Sequence, residues 1–228
     1  MVYAWQLWLS PRPPQRTDTS QDAAVLGMHD DVLYNFRTDA DGRRVVQETH
    51  FIKNKSVREG LSGPPLHIHP AQDETFLIKQ GVFGVIKNGE RLRITKESGP
   101  VTIPAGARHR FWAHEDGTED LIFEFWMDPG PQDLDRSIDE RFMRNFAGYL
   151  RDCAKAGLEP SVFQLTLMLH HSGIILSPPF WVPLWILTVL SYIAGNWIGA
   201  GLLGYKASYP EYAVEPGKDL RREGKKEL

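Results

Sequence analysis

Four residues in the middle of the chain have the types and spacing to hold a metal ion: His67, His69, Glu74 and His109. In an extended strand, side chains two apart share a face, so the His67-Ile68-His69 spacing aims two imidazoles into one interior. Pro70 begins a short turn, and Glu74 follows it with a carboxylate. The Pro104-Ala105-Gly106 turn then leads into His109, which supplies the fourth donor. Three neutral imidazoles and one carboxylate suit a borderline divalent ion, with iron, manganese, nickel, copper and zinc all chemically compatible. Calcium and magnesium fit poorly, because they take oxygen ligands.

Residues 63 to 81 read G-x3-HxH-x4-E-x6-G, and residues 99 to 109 read G-x4-PxG-x2-H. This pattern resembles the two motifs of the cupin family over the middle of the chain. Gly99 sits one residue nearer Pro104 than is usual there, and Ala113 stands where an asparagine is common, yet neither departure touches a donor. The resemblance implies a jelly-roll β-barrel that holds a divalent transition metal, iron(II) first, on His67, His69, Glu74 and His109. It also implies an oxidoreductase, since single-domain cupins with apolar tails resemble the accessory oxidoreductases of fungal secondary-metabolite pathways.

Strand alternation extends this reading to a pocket. If His109 points inward, so do Phe111 and Ala113; if Glu74 does, so do Phe76 and Ile78; and Glu124 facing water turns Phe123 and Phe125 in. These six residues predict an apolar, aromatic cavity suited to a small hydrophobic, phenolic or polyketide-like molecule. An oxygenase is the leading expectation, with Glu74 and His109 as the catalytic pair and Glu74 as general base. Two alternatives stay open: a non-redox isomerase, cyclase or decarboxylase using the ion as a Lewis acid, and a carrier that binds a hydrophobic ligand without chemistry. Arg91, Arg93, Arg108 and Arg110 are assigned to the solvated outer face, with recognition of an anionic substrate group as the alternative.

The chain has 228 residues and a net charge of −3, enough for one domain with an appendage. No basic stripe interleaved with aromatics is present, which argues against a nucleic-acid partner. Cys153 is the only cysteine, so no internal disulfide forms and a reducing compartment is favoured. The apolar stretch from Met1 to Leu9 is too short and wrongly flanked for a secretory signal. Residues 1–26 therefore read as an arm that packs on the barrel or on a second subunit, the alternative being disorder from Pro11 to Asp22.

Short alternating runs predict a barrel over residues 27–130, with strands at Val32–Phe36, Val45–Lys53, Thr75–Gln80, Val82–Lys87, Glu90–Thr95, Val101–Ile103, His109–Ala113 and Leu121–Met127. Asp39-Ala40-Asp41-Gly42 and Asn88-Gly89 read as hairpin turns. Residues 131–171 change character. Leu134, Ile138, Phe142, Phe146 and Leu150 form one helical stripe closed by Gly157, and an apolar run from Val162 ends at His170-His171, read as structural or interfacial.

Residues 172–205 carry no charge, and Trp181, Trp185 and Trp197 punctuate a stretch long enough to cross a bilayer. Pro178, Pro179 and Pro183 before it, with Gly195, Gly199, Gly201 and Gly204 near its end, leave three forms open: a span, a re-entrant hairpin, or a helix pair buried in a homodimer. The basic tail residues Lys206, Arg221, Arg222, Lys225 and Lys226 favour a cytosolic end. A hairpin is preferred, because it keeps the barrel cytosolic as well. Residues 206–228 read as a polar, solvated tail.

Overall fold

A computed structural model describes residues 3–39, 42–130 and 138–214. Two antiparallel sheets face one another across a shared core. One runs in the order β1 (Ala24–Leu26), β2 (Val32–Thr38), β3 (Arg44–His50), β10 (Leu121–Asp128), β5 (Asp73–Gln80) and β8 (Val101–Ile103). The other runs β11 (Ile175–Leu176), β4 (His67–Ile68), β9 (His109–Ala113), β6 (Phe83–Lys87) and β7 (Glu90–Ile94). The architecture is mainly β, a jelly-roll barrel with a helical extension at its C-terminal end.

Local chemistry explains the turns. Asn88 and Gly89 both take positive φ, 50° and 90°, which closes the Lys87–Glu90 register of β6 and β7 in the way an Asn-Gly pair favours. In the 104–106 turn Gly106 adopts φ 80° and donates its N–H to the His69 carbonyl at 2.8 Å. The loop before β9 is thereby tied to the end of β4. Ala40 and Asp41, between β2 and β3, lie outside the described residues.

The rings of Phe76, Phe83, Phe111 and Phe123 meet with centroids 4.9 to 5.8 Å apart and fill the barrel interior. Such tilted and edge-on pairs contribute roughly 0.5–1.5 kcal/mol each beyond the area they bury.

The described helices include α1 (Ala4–Leu9), α2 (Lys55–Arg58), α3 (Glu140–Lys155), α4 (Val162–His171) and α5 (Leu184–Leu202), whose second half, Ile193–Leu202, is π-helical. Asp139 caps α3 by accepting the Phe142 N–H at 2.7 Å, so this helix begins later than its apolar stripe suggests. Leu134 lies outside the described residues.

The segment boundaries read from composition do not coincide with breaks in the fold. Ala24–Leu26 pairs with β2, so the end of the arm belongs to the barrel sheet. Pro11 to Asp22 packs as part of the arm rather than being disordered: Thr17 bonds Asp152 through its N–H and hydroxyl at 2.8 and 2.7 Å, and Arg16 stacks on Tyr209. Ile175–Leu176, inside the supposed membrane segment, pairs with β4 because its backbone completes the edge of that sheet. Residues 206–214 are no solvated tail: Tyr209 bonds Gln164 and Tyr212 bonds Asp152, both deep in the interior. Arg221, Arg222, Lys225 and Lys226 lie outside the described residues.

Candidate metal centre

The two sheets each bring donors to one point. His67 on β4 stands directly opposite His109 on β9, while Glu74 comes from β5 in the facing sheet, and His69 follows β4 at its end. All four side chains are buried, and one donor atom from each lies within 4.8 Å of the others. Donors bound at about 2.1 Å to a shared ion stand roughly 3 to 4 Å apart, so the cluster needs only a small contraction to close on one.

Hydrogen bonds around the rings fix their inward faces. His67 donates Nδ1–H to the Pro65 carbonyl at 2.9 Å, and His109 donates Nδ1–H to the Ala107 carbonyl at 3.0 Å. Each ring thus turns its Nε2 towards the centre. There His67 Nε2 meets His69 Nε2 at 3.0 Å, and His109 Nε2 meets Glu74 Oε2 at 2.9 Å. Lone pairs at these separations need a proton or a cation between them. The donor set therefore fits a divalent ion, and the residues that would hold it are those four. His69 Nδ1 is buried without a partner among the described residues, so the centre itself orients this ring.

The ionisation states agree. Burial, then the neighbouring His109 and His69, push His67 down to about 3, which keeps it neutral and able to ligate. Burial pushes the Glu74 carboxyl up, but hydrogen bonds from His109 and His69 outweigh it and hold the group well below the usual carboxylate range. His109 is raised: burial opposes its charge, and the Glu74 bond and charge more than compensate. In the metal-free protein His109 and Glu74 share a proton that an ion would displace.

A cavity of about 430 Å³ opens beside the donors, with His67 and Glu74 in its wall. Phe111 and Phe125 line it, as the alternation implies. Phe76, Ile78, Ala113 and Phe123 are a correction. They are buried in the barrel core and do not line the cavity. Ile138, just ahead of α3, and Phe142, Phe146 and Leu150 on α3 also line it.

Two polar residues in this wall, Tyr34 and Glu48, were not singled out from the sequence. The signal was available: with Val46 inward on β3, alternation also turns Glu48 and His50 inward. Arg108, assigned to the outer face, instead binds Ser177 Oγ at 2.8 Å and the carbonyls of Pro178 and Phe180, holding the return from the barrel to α5. Cys153 is buried, and burial pushes its thiol up.

No family model matches the chain. It is 52% identical over 217 residues to the probable oxidoreductase virH of Hypocrea virens, covering 95% of this chain and 98% of that one. It is 48% identical over 205 residues to the oxidoreductase iacF of Pestalotiopsis fici, covering 87% and 100%. Among solved structures, the cupin domain of Schizosaccharomyces pombe Cnp3 aligns at 16% identity and TM-score 0.33, over 42% of this chain and 62% of that one. With the HxH, Glu and His donors gathered on a jelly-roll barrel, and relatives matched over nearly their whole length, the chain belongs to the cupin-type fungal oxidoreductases.

Proposed function

We propose that this protein is a metal-dependent oxygenase acting on a small hydrophobic molecule of the phenolic or polyketide-like kind, with iron(II) as its ion. The observation that carries the reading is the opening of the His67, His69, Glu74 and His109 cluster onto an apolar cavity of about 430 Å³, within the ~300–1,000 Å³ range of small-molecule sites. The oxidoreductase names of the two full-length relatives support it.

Bound there, a redox-active divalent ion supplies Lewis acidity and one-electron exchange with dioxygen. The chain does the rest. Pro65 and Ala107 keep the Nε2 atoms of His67 and His109 turned inward. Phe111, Phe125 and the α3 stripe exclude water from the substrate face. Glu74 borders the cavity and is the group this reading assigns as general base toward an acidic substrate hydroxyl.

Oxygen uptake by the iron-loaded protein against a panel of phenols and enols tests this. Uptake that depends on substrate and vanishes in Glu74→Ala is expected. Metal-dependent conversion without uptake would turn the reading to Lewis-acid chemistry, and binding without conversion would leave a carrier.

We further propose that the protein works at a lipid surface. α5 is long and apolar enough to cross a membrane, yet one side of it packs on α4. Its outer side and the preceding loop expose Trp181, Trp185 and Trp197, and α1, joined to the end of α5 by the Gln6–Leu202 hydrogen bond, adds exposed Trp5 and Trp8. Interfacial seating of these tryptophans suits their amphipathic rings. Wild type should sediment with phosphatidylcholine vesicles, and a Trp181→Ala, Trp185→Ala double variant should stay in the supernatant; equal sedimentation would refute lipid docking.

A further inference from the structure

A second polar cluster sits in the cavity wall, apart from the metal donors. Glu48 is 4% exposed, and its Oε2 lies 2.9 Å from His50 Nε2, while His50 Nδ1 lies 2.7 Å from Ser62 Oγ. His50 is held between Ser62 and Glu48, its Nε2 bonded to the Glu48 carboxyl. One carboxylate oxygen is thus locked in place. The other, Oε1, makes no hydrogen bond among the described residues.

Tyr34 is the direct cross-strand partner of Glu48 between β2 and β3, on the same inward face. Side chains so paired have Cβ atoms about 5 Å apart. Tyr34 is 9% exposed, and its hydroxyl also makes no hydrogen bond among the described residues. Both residues line the cavity that His67 and Glu74 line. Asp31, also in that wall, is engaged by Ser56 Oγ at 3.0 Å. An acceptor and a donor from paired strand positions thus border a cavity that is otherwise mostly apolar.

We propose that Tyr34 and Glu48 form a subsite that receives a hydroxyl group of the bound metabolite, Glu48 Oε1 accepting its hydrogen and Tyr34 donating to its oxygen. His50 and Ser62 are positioning residues for Glu48. The proposal rests on the cavity being the substrate site, and it assigns that substrate a hydroxyl besides any group directed to the ion. Burial, followed by the charges of Glu48 and Asp31, raises the Tyr34 hydroxyl well above its usual value, so it remains a donor. A site built to pair a hydroxyl discriminates strongly against an analogue without one, since its own groups then stay unpaired.

The test is binding to zinc-loaded protein, in which the ion is redox-silent. The probes are para-nitrophenol and nitrobenzene, followed by calorimetry. Wild type should prefer para-nitrophenol. Tyr34→Phe and Glu48→Gln should each weaken it by about tenfold, the worth of one buried hydrogen bond, with nitrobenzene affinity and zinc content unchanged. Equal loss for both probes, or no loss for either in a variant with native zinc content, overturns the proposal. Tyr34→Phe removes one oxygen and alone decides the matter if Glu48→Gln does not fold. Turnover does not enter the readout, so a protein that consumes no oxygen defeats the oxygenase reading and leaves this discrimination intact.

Discussion

The Nε2 atoms of His67 and His69 face one another at 3.0 Å, while the Nδ1 proton of His67 is committed to the Pro65 carbonyl. That relationship puts a cation's position between the two rings. His67→Ala and His69→Ala should each lower divalent-metal affinity by more than about a hundredfold, beyond what loss of a supporting hydrogen bond alone costs. Competition against a chromogenic chelator measures it. Affinity unchanged in either variant would place the ion elsewhere.

The metal-free protein should lose stability as pH falls below the unfolded histidine value of 6.5, because His67 resists protonation down to about 3. In that window the unfolded chain binds a proton there and the folded one does not, so stability changes by about 1.4 kcal/mol per pH unit from this group. His109 has the opposite sign. Its raised folded value adds stability that is complete below 6.5 and lost as pH rises through that value. Glu74, depressed, contributes stability present above 4.5 and lost only as pH falls through its folded value. Denaturant unfolding of chelator-treated protein between pH 6 and 5 should therefore show a slope that His67→Ala reduces by about one proton. An unchanged slope would contradict the assignment.

Gly63 precedes the ligand strand for a steric reason. A Cβ there would lie 1.8 Å from the Phe111 carbonyl oxygen on β9, a backbone atom that cannot step aside without moving His109. Gly63→Ala should destabilise the fold by about 3 kcal/mol and weaken metal binding with it. Thermal melting and metal content, measured together, check both. A variant that melts and loads as wild type does would mean β9 has slack the packing does not show.

The barrel was legible because its strands alternate and its turns carry Asn-Gly and Pro-Ala-Gly chemistry; β8 and β9 fall where the pattern puts them. The four donors were legible for the same reason, since two-residue spacing on a strand fixes a shared face. Pocket depth was not. Alternation tells that Phe76 and Phe123 point inward, but not that the space they enter is filled by one another and by Phe83. The pairing of Ile175–Leu176 with β4 was hidden because a two-residue strand has no period, and its sheet partner lies about a hundred residues earlier in the chain. Tyr209 and Tyr212 were taken for solvated tail because lysines and glutamates around them dominate the composition, while their hydroxyls bond Gln164 and Asp152 inside.

α5 should part from α4 in Gly195→Leu. The added Cβ alone meets the Leu167 Cα at 3.0 Å, and nearby Gly199 approaches the Phe163 carbonyl just as closely. Hydrogen exchange should rise across Val162–His171 and Leu184–Leu202, while the strands that carry the donors keep their protection. Protection lost evenly over the barrel would show that the helical pair is no separate layer.

The account stands or falls on one ion shared by His67, His69, Glu74 and His109. Chelator-stripped protein titrated anaerobically with iron(II), and followed by X-ray absorption at the iron edge, measures this directly. The prediction is one ion per chain with an imidazole-rich, single-carboxylate shell that disappears in Glu74→Ala, His109→Ala protein. No uptake, or the same shell in that double variant, would contradict it.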